Sequence, residues 1–203
     1  GFFSQSEHWF GFSLEEWSFS RLVVILFPAI GGLLVFPLLR WFGDDLKGGF
    51  SAFLERVNLG GAKLRLRPIF PRGFGAAITL GTGGSAGQEG PIAMIGGAIG
   101  SQFGQLFKMS GERLKVLVAC GAAAGVAATF NAPIAGVFFA QEVVLLAAFE
   151  LSSFTSIVIA SGMATVVSRA LLGNSSEIYA PAYVVHSPWE LILYVLLGLL
   201  IGA

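Results

Sequence analysis

Four long runs of this sequence contain no Asp, Glu, Lys or Arg: Leu22–Leu39, Gly90–Phe107, Val116–Gln141 and Leu151–Ser168, each of 16 or more residues. A helix needs about 20 residues to cross the hydrocarbon core of a bilayer, and fewer where helices are broken. Charged residues make up only 12% of the chain, whereas soluble domains carry about 25%. The runs therefore predict an all-α, polytopic membrane protein, with residues 21–203 as its integral-membrane part. Strand-like runs such as Tyr183-Val184-Val185 are too short for a β-barrel. Residues 1–20 are aromatic and mildly acidic (Phe2, Phe3, Trp9, Phe10, Phe12, Trp17 with Glu7, Glu15, Glu16). That mixture fits an interfacial segment, because Trp gathers at headgroup level.

Several function classes fall away on composition. Net charge is zero, so there is no nucleic-acid footprint. His8 and His186 stand alone, and no Cys, His and carboxylate cluster has metal-ligand spacing. Cys120 sits in an apolar helix and reads as a small packing residue. No cofactor is implied. The Gly81–Ala86 stretch passes a loose dinucleotide fingerprint, but it lacks the Lys-Ser/Thr of a phosphate loop and a βαβ context. An enzyme is not the reading. Gly1 starts mid-sequence and Leu191–Ala203 ends inside an apolar helix, so the chain reads as part of a longer protein.

Within the apolar segments lies Gly81-Thr82-Gly83-Gly84-Ser85-Ala86-Gly87-Gln88-Glu89-Gly90-Pro91. Glycine leaves backbone N–H groups unobstructed, and Pro91 suits the first turn of a helix, predicted over about Ile92 to Phe107. Free amides and the macrodipole make such a helix end an anion site. Glu89 places a fixed carboxylate there, where it competes with any incoming anion. The plain alternative is an N-terminal carboxylate stabilising its helix by roughly 0.3–1 kcal/mol.

The remaining segments describe short, broken helices. Pro28 and Pro37 predict kinks in a first span from Arg21 to Trp41. Residues 40–72 carry seven of the twelve Lys and Arg residues, so this loop is expected on the cytoplasmic side. Lipid-headgroup recognition is the lesser reading of the same basic run. Phe50–Val57 is expected as a short helix that does not cross. Gly73–Leu80 resumes an apolar segment, and Lys108–Lys115 is a polar connection. Small residues at Gly96-Gly97-Ala98-Ile99-Gly100 and Gly121-Ala122-Ala123-Ala124-Gly125 suggest close helix crossings. Asn131 can cap, and Pro133 can open a helix that carries Gln141 and Glu142. An ionisable residue at membrane depth is a functional candidate. Phe154–Leu172 is a further span, Gly173–Ser187 a polar loop, and Trp189 anchors the last helix. Irregular backbone between apolar segments is tolerated where it lines a cavity, as in channels and transporters.

Gly87-Gln88-Glu89-Gly90-Pro91 resembles the Gly-(Lys/Arg)-Glu-Gly-Pro motif of the CLC family of voltage-gated-type chloride channels and chloride/proton antiporters. Gly121 to Val137, containing Asn131-Ala132-Pro133, resembles that family's following helix pair in order and spacing. The resemblance covers about residues 20–203, most of the first of two inverted repeats and the opening of the second. It implies a homodimer in the lipid membrane whose subunits each conduct chloride or a similar small anion, with protons as a second species in antiporters. It implies that Glu89 is the gate, with backbone anion contacts from Gly87, Gln88 and Gly90. The family's second-repeat anion contacts are absent from this chain.

Three departures qualify that picture. Gln88 replaces a basic residue and weakens the local positive potential. The family's Gly-Ser-Gly-Ile-Pro anion loop should fall near Gly43, where the chain reads Gly43-Asp44-Asp45-Leu46-Lys47; an ionised Asp44 repels an anion. The antiporters' carboxylate pair reads Glu142-Val143, and valine cannot relay a proton. The expectation is therefore anion transport that is channel-like or weakly coupled to protons. The alternatives are an antiporter with a different internal relay, for which Glu142 is the candidate, and a non-transporting membrane scaffold.

Overall fold

The computed structural model describes residues 17–46, 48–146, 151–173 and 189–202. Their elements run α1 (Trp17–Leu46), α2 (Gly49–Asn58), α3 (Ile69–Gly81), α4 (Glu89–Leu106), α5 (Glu112–Phe130), α6 (Pro133–Phe139), a π-helical turn (Ala140–Val144), α7 (Leu151–Leu172) and α8 (Trp189–Gly202). The segments of residues 1–16 and 174–188, including the aromatic start, His8, His186 and most of the expected polar loop, lie outside the described residues. Among the described residues, three helices are long and apolar enough to cross a membrane, at Leu26–Gly43, Glu112–Phe130 and Ser153–Leu172. The all-α reading of the sequence holds for the described residues.

Helix α5 is the hub. It packs against α4, α6 and α7, and Leu114, Val118, Ala119, Ala122, Ala123, Val126 and Ala127 are buried along it. Its small side chains bring neighbouring backbones into direct contact. A Cβ added at Gly96 would collide with the Gly121 carbonyl, and one at Gly121 with the Gly96 carbonyl. Gly100 meets the Leu117 carbonyl in the same way, and a Cβ on Gly125 would lie 3.0 Å from the Ile92 carbonyl. Apolar lipid tails supply no hydrophobic drive between helices, so this van der Waals contact is what such a crossing rests on. On the other side of α5, Gly136 of α6 lies where a Cβ would sit 2.6 Å from the Ala123 carbonyl and 3.0 Å from Ser161 Oγ. Hydroxyls complete that seam: Ser161 Oγ donates to the Pro133 carbonyl at 2.6 Å, and Ser168 Oγ to that of Ala128 at 2.9 Å.

Several boundaries differ from the sequence expectation. The backbone of α1 stays helical at Pro28 and Pro37 and leaves helical geometry at Phe42 (φ −119°, ψ 16°). Proline's fixed φ is itself helical, so its cost is the missing N–H donor rather than an obligatory break. Helix α4 begins at Glu89 rather than near Ile92, and α5 begins at Glu112, inside the expected polar connection. Gly111, with φ 61°, makes the turn that lets the charged residues Glu112 to Lys115 join α5. Asn131 closes α5 in the left-handed region (φ 53°, ψ 32°) instead of capping the next helix, and Ala132 precedes α6 with Pro133 at its start. Asparagine is among the few non-glycine residues that accept that conformation.

Gly121→Ala should lower stability by about 1–3 kcal/mol, because the methyl meets backbone that cannot rotate away. Gly162→Ala on α7, where an added Cβ meets nothing within 4 Å, should be neutral or slightly stabilising. Thermal unfolding of both variants in detergent checks the pair.

Candidate functional site

The glycine loop is held at both ends by ordinary helix chemistry. Helix α3 ends in a Schellman arrangement: Gly84 N–H donates to the Thr79 carbonyl at 2.8 Å and Gly83 N–H to that of Leu80 at 3.0 Å. Gly83 has φ +80°, which is why glycine stands there. Thr82 Oγ1 donates to the Ile78 carbonyl at 2.8 Å. Buried Gly31 of α1 packs directly against the Thr82 side chain. Residues 84–87 then cross without regular structure to α4.

At the start of α4, Ile92 N–H donates to the Gln88 carbonyl at 3.1 Å. Pro91 has no N–H, and the amides of Glu89 and Gly90 have no carbonyl one turn back within the helix. Glu89 is exposed, and its carboxylate folds back over the loop. A Cβ placed on Gly87 would lie 2.5 Å from Glu89 Oε2. The side chain thus stands beside the backbone that the sequence reading assigned to an anion, at Gly87, Gln88 and Gly90.

Three aromatic rings from two segments, α2 and α6, come together beside this helix end. Phe50 of α2 lies 3.8 Å from the position of a Gly90 Cβ. It stacks on Phe53 with centroids 5.5 Å apart and tilts against Phe139 of α6 at 6.2 Å. Nothing in the sequence marks Phe50 or Phe139 for this role. An aromatic in a short amphipathic helix carries no mark of a partner 89 positions away.

The expected internal polar site lies on the π-helical turn. Glu142 is exposed and Val143 half-buried there, while Gln141 is buried with neither amide atom partnered among the described residues. Asn58 at the end of α2 donates to the Leu54 carbonyl at 2.9 Å and the Val144 carbonyl at 3.0 Å. It thereby satisfies a carbonyl at the end of the irregular turn. Asn131 Oδ1 accepts from Arg169 Nε at 2.5 Å. Gly43, Asp44 and Asp45 fall in the last helical turn of α1, just past the Phe42 break, and α2 follows from Gly48 (φ 85°).

A family model described as voltage gated chloride channel matches residues 2–203. The chain is 41% identical over 190 residues to "Chloride channel protein CLC-e" of Arabidopsis thaliana, an alignment covering 89% of this chain and 26% of that protein. It is 32% identical to "H(+)/Cl(-) exchange transporter ClcA" of Vibrio parahaemolyticus, covering 99% and 45% respectively. Among solved structures, a slow cyanobacterial Cl−/H+ antiporter matches with a TM-score of 0.72 at 31% identity, covering 89% of this chain and 43% of that one. The chain spans between about a quarter and under half of these relatives' length.

Gly87→Ala should push the Glu89 carboxylate off the loop while leaving α4 in place, because the methyl meets only the end of a flexible side chain. A cryo-EM structure of the variant reads this directly; a carboxylate still lying over residue 87 would contradict it.

Proposed function

This chain belongs to the voltage gated chloride channel family, and we propose that it conducts small anions, chloride foremost, past a gate formed by Glu89. The observation that carries the proposal is the Glu89 carboxylate folded over Gly87 at the first turn of α4. Ionised, it competes with an anion for the same helix end and its first-turn amides. Protonated, it loses that attraction and yields the position. Transport should therefore rise as pH falls and the carboxylate takes up a proton. Helix dipoles and N–H groups distinguish chloride, nitrate and bromide only weakly, so the pathway is one for small anions as a class.

Coupling follows from the second carboxylate position. Val143 has no proton to carry, which supports passive or weakly coupled flow. The second reading is antiport with Glu142 as the internal relay; Glu142's exposure on the π-helical turn and the antiporter among the structural relatives favour it. Gly43, Asp44 and Asp45, in the last turn of α1, stand near where the family's anion loop is expected, and an ionised Asp44 there would weaken anion binding. The working unit is a homodimer in the lipid bilayer, with loop 40–72 on the cytoplasmic side by its excess of basic residues.

The test uses the complete protein in liposomes, following chloride efflux and proton movement together at two pH values for wild type, Glu89→Gln and Glu89→Ala. Both variants should conduct with no pH dependence, because a neutral side chain mimics the protonated gate. Titration that persists in them removes Glu89 from the gate. Chloride flux without protons supports channel-like flow, and stoichiometric proton movement establishes antiport. No anion flux in any of the three would leave a non-transporting scaffold.

A further inference from the structure

The basic run between α2 and α4 does more than mark a membrane face. Arg56 of α2, Arg65 of the 59–68 connection and Arg72 of α3 line one cleft, whose other walls include Phe53, Leu64 and Met94. Among the described residues, no carboxylate lines it. Phe53, Leu64 and Met94 are buried, while Arg56 and Arg65 are exposed. The cleft thus has an apolar floor and a rim of guanidinium groups.

The connection that carries Arg65 is fastened to α4 by side chains. Ser101 Oγ donates to the Ala62 carbonyl at 2.7 Å and accepts from Leu64 N–H at 2.9 Å. Gln102 Nε2 and Gln105 Nε2 both donate to the Leu64 carbonyl, at 2.6 and 3.0 Å. Gly61 (φ 68°) and Ala62 (φ 59°) make the left-handed turn that this fastening requires. Arg72 is oriented by Nη1 donating to the Gly49 carbonyl at 3.4 Å and contacting Met94 Sδ at 3.2 Å. Two of the three guanidinium groups therefore sit on backbone or side chains held in place, which lowers the ordering cost of binding an oxyanion.

We propose that this cleft binds a phosphate group, supplied by the headgroup of an anionic phospholipid. Guanidinium forks match phosphate oxygens in geometry and charge. Charged side chains at this end of the fold are best accommodated at the membrane–water interface, where lipid phosphates lie. The neighbouring surface supplies apolar cover for acyl chains: Phe70 and Phe74 of α3 are 64% and 63% exposed. They line a groove with Leu38, Phe42 and Arg67. This apolar surface is what favours a lipid over a free phosphate. Because the 59–68 connection is bonded to α4, the bound headgroup would brace the helix that presents Glu89.

The test uses the complete protein in neutral detergent, with native mass spectrometry after exposure to phosphatidylglycerol or phosphatidylcholine. Phosphatidylglycerol should be retained preferentially, and the Arg56→Gln/Arg65→Gln double variant should lose retention roughly tenfold or more. Arg72 is left intact because it also holds Gly49 and Met94. The Arg56→Lys/Arg65→Lys variant should keep part of the binding, since charge remains and the forked geometry is lost. An unchanged melting temperature shows that the variants fold. Equal retention of the two lipids, or full phosphatidylglycerol retention in the Gln variant, overturns the proposal. Resistance to millimolar inorganic phosphate assigns the site to the lipid; complete displacement, with Arg-dependent phosphate binding, overturns the lipid assignment in favour of a soluble phosphate.

Discussion

The backbone-to-backbone crossing of α4 and α5 is the constraint on which the rest of the arrangement depends. Gly96 and Gly121 touch each other's carbonyls, and Gly100 touches Leu117. Close approach of this kind replaces the hydrophobic drive that a soluble core would use, and it leaves almost no freedom in how the two helices are placed. Because α5 also holds α6 and α7, the position of α4 is referred to the whole bundle. Glu89 is the first residue of α4. The Glu89 carboxylate is thus located by α4 glycines about two and three turns away.

Around that crossing, polar side chains make irregular backbone tolerable. Non-helical segments at membrane depth must have their N–H and C=O groups satisfied from within the protein or by water in a cavity. Ser101, Gln102 and Gln105 do this for the connection between α2 and α3. Asn58 does it at the end of the π-helical turn, and Ser161 at the start of α6. Each of these bonds joins residues at least 28 positions apart. They fix interruptions in place rather than lengthening helices.

The interruptions are where the proposed chemistry lies. A continuous helix would bury its amides in its own ladder and offer nothing to an anion. Ending α3 in a Schellman turn and restarting at Glu89 exposes a helix end, and the glycines between leave its approach open. In the proposed function, a carboxylate on the restarting residue is the competitor, and it yields when it takes up a proton. The aromatic cluster of Phe50, Phe53 and Phe139 adds an apolar wall next to that end.

Much of this was legible from residue order alone. Uncharged runs identified the membrane class, because hydrocarbon tolerates few charges. Glycine, proline and glutamate in the sequence Gly87 to Pro91 located the helix start to within a turn, since the effects involved are local. The small-residue stretches of α4 and α5 announced that the helices cross closely. Which glycine meets which carbonyl was decided only by the tertiary structure, because composition does not set the register or angle of a crossing. The same holds for Asn131, whose sequence suits either a helix start or a left-handed close. It holds also for Phe50, Asn58 and Arg72, whose partners are distant in sequence. The sequence by itself determined the solvent, the helices and the site of the carboxylate. Long-range packing decided what surrounds that carboxylate, because those contacts depend on the relative placement of helices that no local pattern encodes.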